Sequence, residues 1–144
     1  MEELLELRKC LEEEDYIKAL EIVGELEEMS KEDKINKIYS YLVVLLTHLI
    51  KQEVEKRSTR SWDVSIKNSL RQINRTNKRR KSGGFYLSDE EMRETIREAL
   101  LSAIDKASLE VREGLYNTGE LIRLLDTKEL NERAFRMVEN QKKL

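Results

Sequence analysis

Proline is absent from this chain of 144 residues, and glycine occurs only five times. Because both residues mark turns, their scarcity excludes collagen-like chains, proline-rich chains and turn-dense all-β folds. A single cysteine, Cys10, excludes an internal disulfide bond and a zinc site built from cysteines. A lone thiol is typical of a reducing compartment, so we expect a cytoplasmic protein.

The sequence also lacks a long apolar run. The longest one, residues 41–50, is interrupted by Thr47 and His48 and has about half of the roughly 20 residues that a membrane-spanning helix needs. The first residues, MEELLELRKCLEEE, are acidic and amphipathic, whereas a secretory signal is basic and then apolar. We therefore expect neither a targeting segment nor a membrane interaction.

Charged residues are abundant: they make up 39% of the chain, and apolar residues make up another 39%. The 27 basic and 29 acidic side chains nearly cancel, but they are segregated. Residues 1–50 have a net charge of −7, residues 51–81 of +8 and residues 82–144 of −3. Two interpretations stay open: the basic segment neutralises the acidic helices, within the fold or across a dimer, or it binds a polyanion.

Apolar residues recur every three or four positions along most of the chain, which is the period of amphipathic helices. The pattern predicts a helical hairpin over residues 4–26, a helix that begins at Ser30 and extends to Leu49, and a helix that begins at Ser61. After the loop at residues 82–84, a capping box at Ser88 begins a long helix to Val111, and two short helices follow.

These elements predict an all-α fold, a helical bundle of about five to seven helices around a central long apolar helix, residues 35–49. Faces from residues 20–26, 66–73 and 96–111 are expected to pack against that helix. We interpret residues 1–144 as a single helical domain with two parts. Residues 1–81 change from acidic to basic, and residues 82–144 form a second helical half after the Gly-Gly loop.

Three segments between about residues 25 and 73 have a distinctive order and spacing. They are ELEEM at residues 25–29, LVVLLTHLIK at residues 42–51, and RSW at residues 60–62, followed by Ser65, Ile66 and Arg71. In these segments the chain resembles the bacterial helical proteins grouped as a domain of unknown function, family number 29. A glycine and a proline that this family usually has in the two turns are missing here. The resemblance implies a helical bundle and no assigned activity.

His48 is the only histidine of the chain, and it stands among leucines on the most apolar predicted helix. Glu25 and Glu28, one helical turn apart, and the indole of Trp62 complete a candidate polar cluster. One interpretation is a metal or acid–base site centred on His48, although the Glu-x-x-His pattern of helical di-metal sites is absent. The other is structural: His48 is a hydrogen-bonded core histidine, and Trp62 anchors a turn. We expect no cofactor and leave the metal open.

The densest basic segment lies between residues 67 and 81. Phosphate groups bind to clustered lysine and arginine side chains, so this segment is a candidate nucleic-acid-binding surface. Cations at a helix C-terminus are also favoured by the helix dipole alone, so the segment has a structural interpretation too. The candidate residues are Arg71, Arg75, Lys78, Arg79, Arg80 and Lys81.

The sequence is rich in amphipathic helices and poor in catalytic groups. Phosphate-binding glycine loops, a Ser-His-Asp order and a CxxC pair are all absent. We therefore predict a non-enzymatic protein-interaction module whose partner is another protein or a second copy of the chain. Nucleic-acid binding through residues 67–81 and a metal or acid–base site at His48 are the alternatives.

Overall fold

The computed structural model describes residues 2–79 and 83–144, apart from the side chain of Glu113. In these ranges the chain forms six α-helices and no strand, which confirms the predicted all-α class. The helices are α1 (Glu2–Glu12), α2 (Tyr16–Glu55), α3 (Arg60–Asn77), α4 (Asp89–Glu110), α5 (Thr118–Leu124) and α6 (Thr127–Gln141), with a 3-10 turn at Val111–Gly114 between α4 and α5. None of these helices has both the length and the apolar character that crossing a membrane requires.

Polar side chains at the helix starts explain several of these boundaries. The Ser88 side chain accepts from the backbone N–H of Glu91, and the Glu91 side chain accepts from that of Ser88, so the predicted capping box at α4 is confirmed. At α3 the capping residue is Thr59 instead of Ser61: its hydroxyl accepts from the N–H of Trp62 at 3.1 Å. Each cap satisfies N–H groups that the first turn of a helix leaves unpaired.

The predicted helix start at Ser30 is wrong, because Ser30 lies inside α2. A serine followed by acidic residues favours a helix start, but the same residues are tolerated inside a helix, and no proline or glycine interrupts residues 25–35. Residues 20–26 and 35–49 therefore belong to one continuous helix. The expected packing of the first segment on the second is also wrong, since Ala19, Ile22 and Leu26 cluster with Cys10 of α1.

The chain divides into two compact units, residues 1–34 and residues 35–144. The first unit contains α1 and the N-terminal part of α2. Its buried apolar side chains, among the residues described, are Cys10, Ala19 and Ile22, with Leu7 and Leu26 packed against them. The prediction that residues 1–144 form a single domain with a second half from residue 82 stays a prediction.

The second unit has a large apolar core. It includes six fully buried α2 side chains between Ile38 and Ile50, and buried residues of α3, α4, α5 and α6. Ala99, Ala103 and Ala107 are fully buried, and these small side chains allow close approach between α4 and its neighbours. A hydrogen bond between the hydroxyl groups of Tyr39 and Ser102 joins α2 to α4. That residues 35–49 form the centre of the bundle stays a prediction.

Candidate functional site

The four residues of the predicted polar cluster are divided between the two units. Glu25 and Glu28 are exposed on α2 in the first unit, whereas His48 and Trp62 lie in the second. The structure brings the last two together: their ring centroids are 6.4 Å apart, and the ring planes are tilted by 34°. The cluster of all four residues stays a prediction.

The imidazole of His48 is half-buried among the leucines of α2. Its Nδ1 atom is buried and has no hydrogen-bond partner in the part of the chain that the structure describes. Burial lowers the pKa of His48 below its ordinary value of 6.5, and Lys51 and Lys106 lower it further, whereas Glu110 raises it. This environment favours the neutral form of the imidazole. Among residues 2–79 and 83–144, no group of three His, Cys, Asp or Glu side chains could hold a metal ion.

Trp62 lies in the first turn of α3, directly after the turn that follows α2. The Arg57 guanidinium carbon is 4.9 Å from the centroid of the Trp62 ring, and the Lys51 ammonium nitrogen is 5.4 Å from it. Both distances are within the range of cation–π attraction. The half-buried ring thus lies within cation–π distance of two cations, and the interpretation that Trp62 anchors the turn stays a prediction.

Trp62 also lines a cleft of about 460 Å³ in the second unit. Two ion pairs line the cleft. The Lys51 ammonium nitrogen is 2.6 Å from a carboxylate oxygen of Glu110, and a guanidinium nitrogen of Arg57 is 2.9 Å from a carboxylate oxygen of Glu55. Glu110 and Glu55 are the last residues of α4 and α2, where the helix dipole disfavours negative charge, so the two cations offset both acids. The lining residues are Lys51, Glu55, Arg57, Trp62, Glu110, Arg112 and Leu115.

Arg112 is the lining cation that lacks an ion-pair partner within the described ranges. It is exposed, and its backbone is in the left-handed region with φ of 49°, which a residue with a Cβ atom adopts at an energetic cost. The sequence alone does not predict this cleft. Its residues come from two distant stretches, residues 51–62 and residues 110–115, and nothing in the sequence around Arg112 signals a left-handed backbone there.

Basic side chains between residues 60 and 78 lie along one side of α3 and its C-cap residue, Lys78, and we call this set the α3 basic face. Arg60 precedes the predicted basic segment, residues 67–81. The cations of this face are spaced seven, four, four and three residues apart, opposite the buried Ile66, Leu70 and Ile73. All five are exposed, and none forms an ion pair with any residue in the described ranges. They are Arg60, Lys67, Arg71, Arg75 and Lys78.

The remaining candidates of the basic segment are placed differently. Arg79 lies over the ring of Tyr86, with its guanidinium carbon 5.6 Å from the ring centroid. Arg80 and Lys81 lie outside the described residues. The backbone after α3 is held by Asn77: its buried side-chain oxygen accepts from the N–H of Leu87 at 2.9 Å.

The first unit has a surface of a different kind. Its described residues include seven large apolar side chains that are exposed, which we call the hairpin apolar set. Between residues 2 and 34 there are 13 acidic and 5 basic side chains, a net charge of −8. The hairpin apolar set consists of Leu4, Leu5, Leu11, Tyr16, Ile17, Leu20 and Met29.

Comparison with known proteins yields one match. A family model described as domain of unknown function DUF29 matches residues 4–137. This range covers both units and extends well beyond the segments that carry the resemblance in the sequence. No curated protein and no solved structure matches the chain.

Proposed function

Because the chain belongs to the family described as domain of unknown function DUF29, we propose its function from its own surfaces: it is a non-enzymatic module that binds a partner protein through the first unit. The observation that carries this proposal is the exposure of the hairpin apolar set. The cytoplasm is the compartment we propose, because the one cysteine, Cys10, is a free thiol.

The hairpin apolar set is large for the unit that presents it. Ile17 and Leu20, one helical turn apart on α2, are 77% and 71% exposed, and the neighbouring Tyr16 is 58% exposed. The next position on that side of the helix is Gly24, which has no side chain to cover its neighbours. Exposed apolar groups concentrated on so short a segment are typical of protein-binding surfaces, since leaving them in water is unfavourable.

The charge of the first unit indicates what kind of partner fits. A second copy of the same unit would bring two surfaces of net charge −8 together, and that repulsion disfavours a symmetric pairing. A basic amphipathic helix satisfies both properties: its apolar face covers residues such as Ile17 and Leu20, and its lysine and arginine residues face the acidic side chains. We therefore commit to a partner protein with such a helix.

The test uses a synthetic helical peptide of leucine and lysine with helical periodicity as the probe. We expect it to bind the full chain by calorimetry. The double variant Ile17→Ser/Leu20→Ser should weaken binding about 100-fold or more, because about 1.5–3 kcal/mol is lost for each of the two large apolar side chains. Leu101→Ser/Leu109→Ser is the matched control, since both of these leucines are exposed in the second unit.

Two further peptides separate this proposal from simple charge attraction. A peptide with the same composition in scrambled order and a leucine–glutamate peptide with helical periodicity should both bind weakly. Equal binding of the scrambled peptide would contradict the proposal, since only charge would then matter. A dimer in light scattering that dissociates in Ile17→Ser/Leu20→Ser would also contradict it, because the occupant would then be a second copy.

A second candidate function is nucleic-acid binding through the α3 basic face. The observation that favours it is the alignment of five cations that have no ion-pair partner among the described residues, an arrangement that suits a row of phosphates. Arg71, Arg75 and Lys78, three of the residues predicted from the sequence, belong to this face. The net charge of −2 of the whole chain opposes long-range attraction of a polyanion, so this function ranks second.

Fluorescence anisotropy of a labelled oligonucleotide at two salt concentrations tests the second candidate. Binding at low salt should weaken steeply at high salt. The triple variant Lys67→Gln/Arg71→Gln/Arg75→Gln should bind more weakly, because it loses phosphate contacts, and each lost contact should also reduce the slope of the salt dependence by about one. Lys9→Gln/Lys18→Gln/Lys31→Gln, in the first unit, is the control. Absence of binding at low salt would remove this candidate.

A further inference from the structure

The cleft beside Trp62 has properties that the proposed protein-binding role does not use. Its volume of about 460 Å³ is within the range of about 300–1,000 Å³ that is usual for sites of small ligands. It combines an aromatic ring with several charged groups. Lys51 and Glu55 are mostly buried, with 13% and 15% of their side chains exposed, so they are fixed parts of the wall.

The charges of the cleft favour an anion. Two ion pairs, Lys51–Glu110 and Arg57–Glu55, cancel within themselves, and Arg112 adds one positive charge. The C-terminal ends of α2 and α4 each carry about half a negative charge from the helix dipole, which opposes the binding of an anion. This effect is confined to the last turn of each helix, and the positive N-terminal end of α3 offsets one of the two. An arginine guanidinium binds a carboxylate through two parallel hydrogen bonds.

The aromatic ring disfavours a cationic ligand. Lys51 and Arg57 already lie over Trp62, within 5.4 Å and 4.9 Å of its centroid, so a further cation at the ring would meet two like charges. The exposed Leu115 adds apolar surface to the same cleft. The lining therefore suits a molecule with an apolar body and an anionic group.

We propose that this cleft binds a small organic carboxylate, with its carboxylate group on Arg112 and its apolar body against Trp62 and Leu115. The left-handed backbone of Arg112 is consistent with this role. At φ of 49° asparagine or glycine is favoured, so the arginine at this position has a strained backbone, and such strain is often found at ligand-binding sites.

Trp62 is the only tryptophan of the chain, so its fluorescence reports on this cleft alone. The probes are hexanoate, hexylammonium and hexanol, which share an apolar chain and differ in the charge of the head group. Hexanoate should change the Trp62 emission in a saturable way below about 10 mM, a concentration that saturates even a site of millimolar Kd. Hexylammonium and hexanol should give no saturable change in that range.

Arg112→Asn removes the charge and keeps a residue that tolerates the left-handed backbone, so the fold is expected to persist. It should weaken hexanoate binding about tenfold or more, because the loss of even one of the two charge-assisted hydrogen bonds has an effect of about that size. Arg123→Gln removes the same charge from the exposed surface of α5 and should leave binding unchanged. No saturable response to hexanoate, equal binding of hexylammonium, or unchanged binding in Arg112→Asn would each overturn the proposal.

Discussion

The two compact units of the chain differ in how they use their apolar residues. Among the described residues, 24 apolar side chains form the buried core of the second unit, and three form that of the first. Both units nevertheless expose seven large apolar side chains, although the second spans 110 residues and the first only 34. The second unit thus has a large buried core, whereas the first buries few apolar side chains, so we expect the second unit to contribute most of the stability of the chain.

From this difference we expect the two units to have different roles. A segment with few buried contacts opens locally at a low free-energy cost, and such segments are where binding surfaces are often found. The apolar groups that the first unit leaves in water are the groups that a partner would cover. The predictions below test whether stability and binding are divided between the units in this way.

The largest expected effect compares one isoleucine from each core. Ile96→Ala should lower the free energy of unfolding by about 2–5 kcal/mol, because Ile96 is fully buried and its loss leaves a cavity in the second unit. Ile22→Ala should leave global unfolding in urea nearly unchanged and should instead speed hydrogen exchange in residues 2–34. Equal losses in global stability would show that the two units unfold together and would remove the distinction.

A buried polar group provides the next test, in the second unit. Asn77→Ala removes the acceptor of the Leu87 N–H and leaves that buried group without its partner, so we expect a loss of about 1–3 kcal/mol. The exposed Asn68 lies on the same helix, and Asn68→Ala should change the free energy of unfolding by less than about 0.5 kcal/mol. A similar effect of both substitutions would show that the hydrogen bond from the Leu87 N–H to Asn77 makes no net contribution to the free energy of unfolding.

The sequence predicted the helical class and the start of α4 because these features depend on local signals. The period of the apolar residues and the capping box at Ser88 act within a few residues, and the structure contains both. The error at Ser30 has the same origin. Serine and acidic residues favour a helix start only when the chain before them is not already helical, and α2 continues through them.

The candidate site was only partly accessible from the sequence, because it depends on contacts between distant segments. His48 and Trp62 are near in sequence, so a short helix–turn–helix segment brings them together. The pair Lys51–Glu110 joins the ends of α2 and α4, which no local pattern announces. Glu25 and Glu28 lie on the same continuous helix as His48, because α2 does not begin at Ser30, and their grouping with His48 stays a prediction.

Left-handed residues offer a smaller effect that again separates the units. Glu14, with φ of 58°, ends α1 in the first unit, and Lys56, with φ of 52°, follows α2 in the second. Both positions suit glycine, which adopts this conformation without strain. Lys56→Gly should raise the free energy of unfolding by about 0.5–1 kcal/mol, whereas Glu14→Gly should slow hydrogen exchange in residues 2–34 only. Global stabilisation by Glu14→Gly would contradict the division.

The smallest effect is a pH dependence that belongs to the second unit, which contains His48. Because burial lowers the pKa of His48 in the folded protein, the unfolded chain takes up the proton more readily. The stability that His48 contributes is therefore complete above its ordinary pKa of 6.5 and is lost as the pH falls below that value. The imidazole is partly exposed to solvent, so we expect a loss of about 0.5 kcal/mol or less.

Urea unfolding followed by Trp62 fluorescence at pH 7.5 and 5.5 measures this loss of stability, and His48→Gln should reduce the difference in the free energy of unfolding between the two pH values. An unchanged difference in His48→Gln would assign the pH dependence to the carboxylates and leave the histidine without an electrostatic role in folding.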